Sequence, residues 1–340
     1  MPDAASARPI RLGARTSPLA RAQVDLVAGL LAELGIAATF VGVTTTGDVD
    51  KRHLTEIGGT GVFAGAVRDA LHRGEIDVAV HSLKDLPTAA ETGLEVIAVP
   101  RREDTRDVLI GRRLADLGDG TRVGTGAPRR AVQLEDWAAR HGRRIEIVPI
   151  RGNVDTRIEL ARSGTVDAVV LAAAGLHRLG HLELVESGSL LESNNKDTVV
   201  KGLPSEILNL DIMLPAPGQG ALGLEIHRSL SNDFRAALTM INNPVAQTEC
   251  LVERAFLATL EAGCTAPVGA RAHVKSVRGT SLDLTLEAVI GRTLLSNLSE
   301  PTKTGPVLRI SVNGSTIDPA QFGAAQAGGV LAELRRSQDQ

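Results

Sequence analysis

Aromatic residues are nearly missing from this chain of 340 residues, which has one Trp, five Phe and no Tyr. That argues against an aromatic-stacking surface for single-stranded nucleic acid and leaves the cores to Leu, Val, Ile and Ala. Cysteine is as scarce. Cys250 and Cys264 are too few and too widely spaced for a disulfide framework or a structural zinc cluster, so a reducing compartment and no metal are expected. No run approaches the roughly 18 uninterrupted apolar residues of a membrane span. Met1–Pro9 also lacks the apolar core of a signal peptide, so a soluble, cytoplasmic protein with no membrane partner is expected. Neither charge is in clear excess: Lys plus Arg total 37 against 40 Asp plus Glu, net −3. Any anion site must be local rather than the product of a global basic field.

What is present suits two or three domains, since 43% of the residues are hydrophobic and a chain of this length can bury more than one core. A short strand is expected from Ile10 to Ala14. Ser17 and Pro18 then supply an N-cap and first-turn proline for a helix to about Leu34, with Leu19, Ala22, Leu26, Val27, Leu30 and Leu34 at helical spacing and Gly35 as its stop. A strand near Thr39 to Thr45, a loop with Gly47 and Asp48, and a helix from near Gly61 follow. The apolar run Asp77 to Val80 predicts a buried strand that delivers His81, Ser82, Lys84 and Asp85 beyond its C-terminal end, where open α/β sheets place ligands. Another strand is expected from Val96 to Val99, and Pro100 to Arg106 is a polar junction.

The next segment repeats this grammar, with strands expected at Arg122 to Gly124, Ile145 to Ile150 and Asp167 to Leu171 and helices from Pro128 and Val154. Its run from Gly164 to Val170 echoes the run from Gly74 to Val80, which suggests two similar α/β domains. From Ser187 to Asn209 the pattern is polar and irregular, with Asn194, Asn195 and Lys196 as a surface insertion. Pro215 to Gly220 punctuates the chain before a strand at Ala221 to Ile226. The remainder reads as a small α+β domain: a helix from Val245 to Leu260 with Leu251, Ala255 and Ala258 facing inward beside Glu249, Glu253 and Arg254, strands at Val268 to Val277, Leu282 to Ile290 and Val307 to Val312, and a helix from Phe322 to Arg335.

The strongest local chemistry is cationic. Arg129 and Arg130 follow Gly124–Pro128, and Arg151-Gly152-Asn153-Val154-Asp155-Thr156-Arg157 carries two more arginines; each group falls between a strand and a helix, where free backbone N–H groups favour anions. Arginine adds a rigid fork for carboxylates or phosphates, although the same runs also fit solvated charged turns. Arg15, Thr16 and Ser17 precede the first helix, the glycines Gly58, Gly59 and Gly61 precede the second, and Arg178 follows the last clear strand of the second domain. Among acids Asp85 stands out, because a carboxylate past a buried strand can steady a positively charged substrate and accept its N–H bonds. A structural salt bridge is the alternative there, and Asp48 and Asp50 fit an ordinary turn. Cys264 lies in a Gly-containing turn and suits either covalent chemistry or packing; Cys250, within a helix, suits the core. His81 is the histidine best placed to line a site.

In order and in type these segments resemble the porphobilinogen deaminase (hydroxymethylbilane synthase) family over nearly the whole chain, from about Ile10 to Leu334. The matching stretches are Arg15–Ala20, His81–Pro87, Arg101–Asp104, Arg129-Arg130, Arg151–Arg157, Leu171–Gly180 and Pro215–Gly220. The resemblance implies two periplasmic-binding-protein-like α/β domains with mixed sheets, 10–100 with 216–240 and 104–214, plus a small C-terminal α+β domain, 241–337. It implies a dipyrromethane cofactor joined by a thioether to Cys264, and stepwise condensation of four porphobilinogen molecules onto that primer before hydrolysis releases hydroxymethylbilane. Asp85 takes the place of the family's central carboxylate. Lys84, Arg129, Arg130, Arg151, Arg157 and Arg178, with Thr16, Ser17, Thr125 and Asn153, resemble the groups that hold the cofactor's acid side chains, and Arg15, Ser17, Arg151 and Arg157 those that hold substrate. The implied partners are porphobilinogen and the growing oligopyrrole, bound by a monomer.

Two departures from the family pattern stand out. Glu56 and Thr60 occupy a loop in which many members carry lysines, and Gly126-Ala127-Pro128 replaces the usual Ser-Ser-Leu before the paired arginines, removing hydroxyl donors. A noncatalytic small-anion binding protein is the alternative reading, since it would share the two-domain architecture without needing Cys264 or Asp85 as chemical groups. A nucleotide-dependent oxidoreductase fits less well, because the glycines do not form the dinucleotide motif after the first strand.

Overall fold

The computed structural model describes residues 8–44, 62–184, 198–260, 263, 266–295 and 306–336. Three sheets organise them. The first region of the chain contains β1 (Ile10–Arg15), α1 (Pro18–Glu33), β2 (Ala38–Val43), α2 (Val62–His72), β3 (Val78–Ser82), a 3-10 turn (Leu83–Asp85) and β4 (Leu94–Ala98). It is followed by β5 (Asp107–Ile110), β6 (Arg122–Gly124), α3 (Pro128–Arg140), β7 (Glu146–Val148), α4 (Val154–Arg162), β8 (Ala168–Ala172), α5 (Ala173–Arg178), β9 (Leu182–Leu184), β10 (Thr198–Val200) and β11 (Leu203–Ile207). Then come β12 (Leu222–His227), α6 (Asn232–Met240), α7 (Pro244–Thr259), β13 (Val268–Arg278), β14 (Ser281–Gly291), α8 (Arg292–Leu295), β15 (Val307–Thr316) and α9 (Pro319–Arg336).

The first sheet has the order β2-β1-β3-β12-β4 and the second β7-β6-β8-β5-β11-β10-β9, while β13-β14-β15 form an antiparallel meander. In the first, β1 pairs in parallel with β2 and β3, and β12 returns antiparallel beside β3. In the second, β6 pairs in parallel with β7 and β8, and β5 runs antiparallel beside β8. One compact unit takes the chain to Glu103 together with Ala221–Gln247; the other takes Asp104–Gly220 and the chain from Thr248 onward. The protein is therefore α/β with two mixed sheets and a small C-terminal α+β part. No helix among the described residues is long and apolar enough to cross a membrane.

The echo between Gly74–Val80 and Gly164–Val170 has a structural counterpart. Asp77 enters β3 with its N–H on the Arg11 carbonyl while its carboxylate takes the Arg11 N–H at 2.9 Å and the Arg11 guanidinium. Asp167 does the same with Arg122, whose N–H reaches the carboxylate at 2.8 Å. In both units an aspartate just before the strand clasps the first turn of its parallel neighbour, which fixes strand register at that edge.

Two helix phases differ from the sequence expectation. On α1 the buried stripe is Gln23, Val24, Val27 and Leu31, with Leu26 exposed; Gln23 turns inward because its amide donates to the Ser82 hydroxyl at 2.9 Å. On α7 Val252, Phe256 and Leu257 pack on the third sheet, and Leu251 is exposed. Glu253 is fully buried there instead of flanking the core, since its carboxylate accepts the Gly218 N–H at 2.7 Å and the Ala272 N–H at 2.9 Å. Hydrophobic spacing alone cannot see such backbone acceptors.

The region read as irregular holds the hairpin of β10 and β11. Its turn, Lys201-Gly202, has both residues at positive φ, 48° and 79°, as a two-residue hairpin turn of the primed type requires. Lysine in place of the usual Asn or Asp hides that turn in the sequence. β5 was hidden by brevity: four fully buried residues directly after a polar junction.

Candidate active site

Parallel pairing brings strand ends to one edge of each sheet, and the sequence-predicted residues that the structure describes sit on those ends or on the turns and helices that follow them. In the first unit Arg15 ends β1, Thr16 is exposed, and Ser17 caps α1 by accepting the Ala20 N–H at 3.3 Å. Beyond β3, Leu83 and Leu86 are each 2% exposed and pin the intervening turn. The Leu83 N–H bonds to the Ala221 carbonyl at 3.0 Å, and Leu86 closes back on Leu83. Lys84 is left half-buried and Asp85 exposed. Arg15, Ser17, Gln23, His81, Ser82 and Asp85 together line one pocket.

Under that pocket lies a cluster that the sequence did not announce. Arg68 of α2 grips the carboxylate of Glu225 on β12 at 2.8–3.2 Å, and the Nε2 of His81 meets the same carboxylate at 3.1 Å. Burial pushes Glu225 up, but the hydrogen bonds and charges of His81 and Arg68 outweigh it and bring the carboxyl down to about 2. Glu225 lies 144 residues from His81 and 157 from Arg68, too far for any local motif to reveal.

In the second unit the paired arginines are interior groups. Arg129 and Arg130, 4% and 5% exposed, converge on Asp107 at the start of β5, each at 2.8 Å. Arg130 also donates to the Val170 carbonyl and Arg129 to that of Leu214. Gln219, from the Pro215–Gly220 segment, is fully buried and donates to Asp107 at 2.9 Å and to the Thr105 carbonyl at 2.7 Å. Burial pushes Asp107 up and Arg129 down; for Asp107 the two guanidinium groups win and hold it well below the usual carboxylate range. Thr125 is buried and its hydroxyl accepts the Ala127 N–H at 3.2 Å, so a threonine supplies a local cap ahead of Ala127, which offers none. Arg178, at the end of α5, donates to the Gly220 carbonyl at 2.7 Å.

The strand β7, also parallel to β6, leads to the N-terminus of α4. Asn153 caps it, accepting the Thr156 N–H and hydroxyl at 2.8 Å each. Arg157 folds back to the Gly152 carbonyl at 2.9 Å. Gly152 has φ +111°, and an added Cβ would meet Thr156 at 2.8 Å, so only glycine permits this turn. Arg151, Gly152 and Asn153 are exposed. Behind them Asp155 pairs with Lys201 and His181, which ties the helix start to the β10–β11 turn.

Cys264 lies outside the described residues, as do Asp48, Asp50, Glu56, Thr60, Gly58, Gly59, Gly61, Asn194, Asn195 and Lys196. Cys250 is 1% exposed in the core. Among the described residues no cluster of three or more His, Cys, Asp or Glu could hold a metal ion.

The family model described as "Porphobilinogen deaminase, dipyromethane cofactor binding domain" matches residues 10–233, and "Porphobilinogen deaminase, C-terminal domain" matches 247–309. Porphobilinogen deaminase 1 of Streptomyces coelicolor is 49% identical over 302 residues, covering 88% of each chain. Porphobilinogen deaminase 1 of Streptomyces avermitilis is 47% identical over 311 residues, 89% of this chain and 90% of that one. Among solved structures, a periplasmic substrate-binding protein of an ABC transporter from Coxiella burnetii is 14% identical, covers 70% of this chain and 94% of that one, and has a TM-score of 0.38, too low to bear on function.

Proposed function

The chain belongs to the porphobilinogen deaminase family, and from that premise we propose how its residues perform the family's reaction. The enzyme is a transferase of tetrapyrrole biosynthesis that condenses four porphobilinogen molecules head-to-tail, with loss of ammonia at each addition, and releases hydroxymethylbilane by hydrolysis. Dipyrromethane is its cofactor, which when bound supplies the pyrrole primer for chain growth. In this reading Cys264 carries the thioether, and the domains are 10–100 with 216–240, 104–214 and 241–337.

One observation carries the choice of an acidic pyrrole over an uncharged ligand. Arg129 and Arg130 share a single carboxylate, Asp107, so among the described residues this cluster sets two buried cations against one anion and carries a local surplus of positive charge. Such a charge is costly to leave unanswered, and a carboxylate side chain of the cofactor answers it. Arg151 and Arg157 flank a capped helix start that favours an anion, and with Asn153, Thr125, Lys84 and Arg178 they hold further acid groups. Each added pyrrole brings two carboxylates, which is why one arginine would not suffice.

Asp85 does the central work. Exposed on a turn pinned by Leu83 and Leu86, it accepts the pyrrole N–H, stabilises positive charge as ammonia departs, and moves the proton at pyrrole nitrogen. Arg15, Thr16 and Ser17 receive the incoming substrate's carboxylates at the start of α1. The enzyme works as a monomer in the cytoplasm, without nucleic acid or membrane.

Intact mass before and after denaturation tests the assignment. Protein made with adequate porphobilinogen should keep an added two-pyrrole mass that peptide mapping localises to Cys264, and Cys264→Ala should remove it. A label on Cys250, or a fully active unlabelled protein, would overturn the reading.

A further inference from the structure

The reaction proposed above uses Asp85 and leaves the cluster beneath it unexplained. His81 lies two residues beyond Ala79, which pairs with Glu225 across β3 and β12, so both side chains leave the same face of the first sheet. Arg68 covers them from α2. The side chains of Arg68, Glu225 and His81 are 11%, 3% and 9% exposed.

Arg68 and Glu225 already satisfy each other as a two-pronged ion pair. A structural salt bridge would need no third member, yet His81 Nε2 also points at Glu225 Oε2 at 3.1 Å. A carboxylate can only accept, so Nε2 must carry the hydrogen. In the neutral ring that makes Nδ1 an acceptor, and Nδ1 has no hydrogen-bond partner among the described residues. His81 lines the same pocket as Asp85. Of the other polar groups there, Arg15 can only donate, the Ser82 hydroxyl accepts from the Gln23 amide N–H, the Ser17 hydroxyl accepts the Ala20 N–H, and the Gln23 amide oxygen is an acceptor on α1 rather than on the turn-bearing strand β3.

We infer that Glu225, held by Arg68, is a positioning residue that fixes His81 as the Nε2–H tautomer, so that Nδ1 accepts a hydrogen bond from an N–H group of the pyrrole bound beside Asp85. The inference rests on the functional reading above. It gives the pocket a neutral ring acceptor beside the charged one, with Asp85 meeting developing positive charge and His81 holding a second N–H without adding charge. Among the described residues the charged groups facing this cluster are Glu225 from β12, Arg68 from α2 with Glu91 paired to it at 3.4 Å, and, across the pocket that His81 lines, Arg15 from the end of β1 and Asp85 from the turn after β3.

Two substitutions separate this role from a purely structural one, because an asparagine amide sits near the place of Nδ1 and a glutamine amide near that of Nε2. His81→Asn keeps the group that faces substrate and should lose less than about 3-fold in kcat/KM, whereas His81→Gln keeps only the link to Glu225 and should lose about 10-fold, the upper scale of one neutral hydrogen bond. Equal losses, or an active His81→Gln beside an inactive His81→Asn, overturn the inference. Imidazole ¹⁵N shifts of the wild-type holoenzyme at about pH 8, above the ordinary histidine range, decide it even if both variants unfold. A protonated Nε2 with a bare Nδ1 supports it, and Nδ1–H overturns it. Wild-type protein that makes no hydroxymethylbilane from porphobilinogen would reject the functional reading, whereas an active enzyme with the wrong tautomer rejects the inference alone.

Discussion

The first and second sheets share a plan and differ in what they place at the working edge. Both have three parallel strands with an antiparallel strand beside the third, and both clasp an aspartate to the neighbouring strand at the far edge. At the strand ends the first unit exposes a carboxylate, Asp85, while the second buries Asp107 under Arg129 and Arg130. The same scaffold therefore offers an accessible anion in one unit and two buried arginines on one carboxylate in the other.

The comparison breaks first at Asp107. Asp107→Ala leaves two arginines buried without their counter-ion, and removing one partner of a buried ion pair destabilises by about 3–5 kcal/mol; a Tm within two degrees of wild type would show that the cluster does not hold the second unit together. Asp85→Asn should leave the Tm nearly unchanged and slow condensation by roughly 10²–10³-fold, the scale of removing one preorganised electrostatic group. Single-turnover intact mass on protein supplied with a preassembled cofactor reads this directly, and normal elongation would move the chemistry away from the first unit's edge.

A smaller effect is expected from pH. Glu225 has its carboxyl lowered from 4.5 to about 2 by the hydrogen bonds that outweigh its burial, so its contribution to stability is complete above about pH 4.5 and is lost as pH falls through about 2. Glu225→Gln should flatten the acid-unfolding curve in that window, and an unchanged curve would sever Glu225 from the stability of the first unit. The clasps should differ least. Asp77 has a 4% exposed side chain and grips both Arg8 and Arg11, whereas Asp167 is 28% exposed and grips Arg122. Asp77→Asn should lower the Tm more than Asp167→Asn, since exposed pairs contribute little. The reverse order would end the claim that the two clasps differ by burial.

Much of this was legible in the chain. Ser17-Pro18 marked its helix start, helices were expected from Pro128 and Val154 where α3 and α4 begin, the apolar runs before His81 and at Asp167 marked their strands, and Gly74–Val80 already matched Gly164–Val170. The motif His81–Pro87 fell at and beyond the end of β3, and Arg129-Arg130 and Arg151–Arg157 fell at the starts of α3 and α4 that follow strands. The phases of α1 and α7 were not legible, because Gln23 and Glu253 are drawn inward by hydrogen bonds to groups 59 and 35 residues away, Ser82 and Gly218.

By itself the sequence determined the strands and helices marked by periodicity, caps and glycine turns, since those signals act within a few residues; β5, the β10–β11 hairpin and the helices α5 and α6 carried no such mark. Only the tertiary structure decided that Arg129 and Arg130 are interior cations on Asp107, that Gln219 braces them from the Pro215–Gly220 segment, and that Glu225 and Arg68 stand behind His81. Those contacts join groups far apart in the chain, and burial gives them strength that the same charges would lack in water.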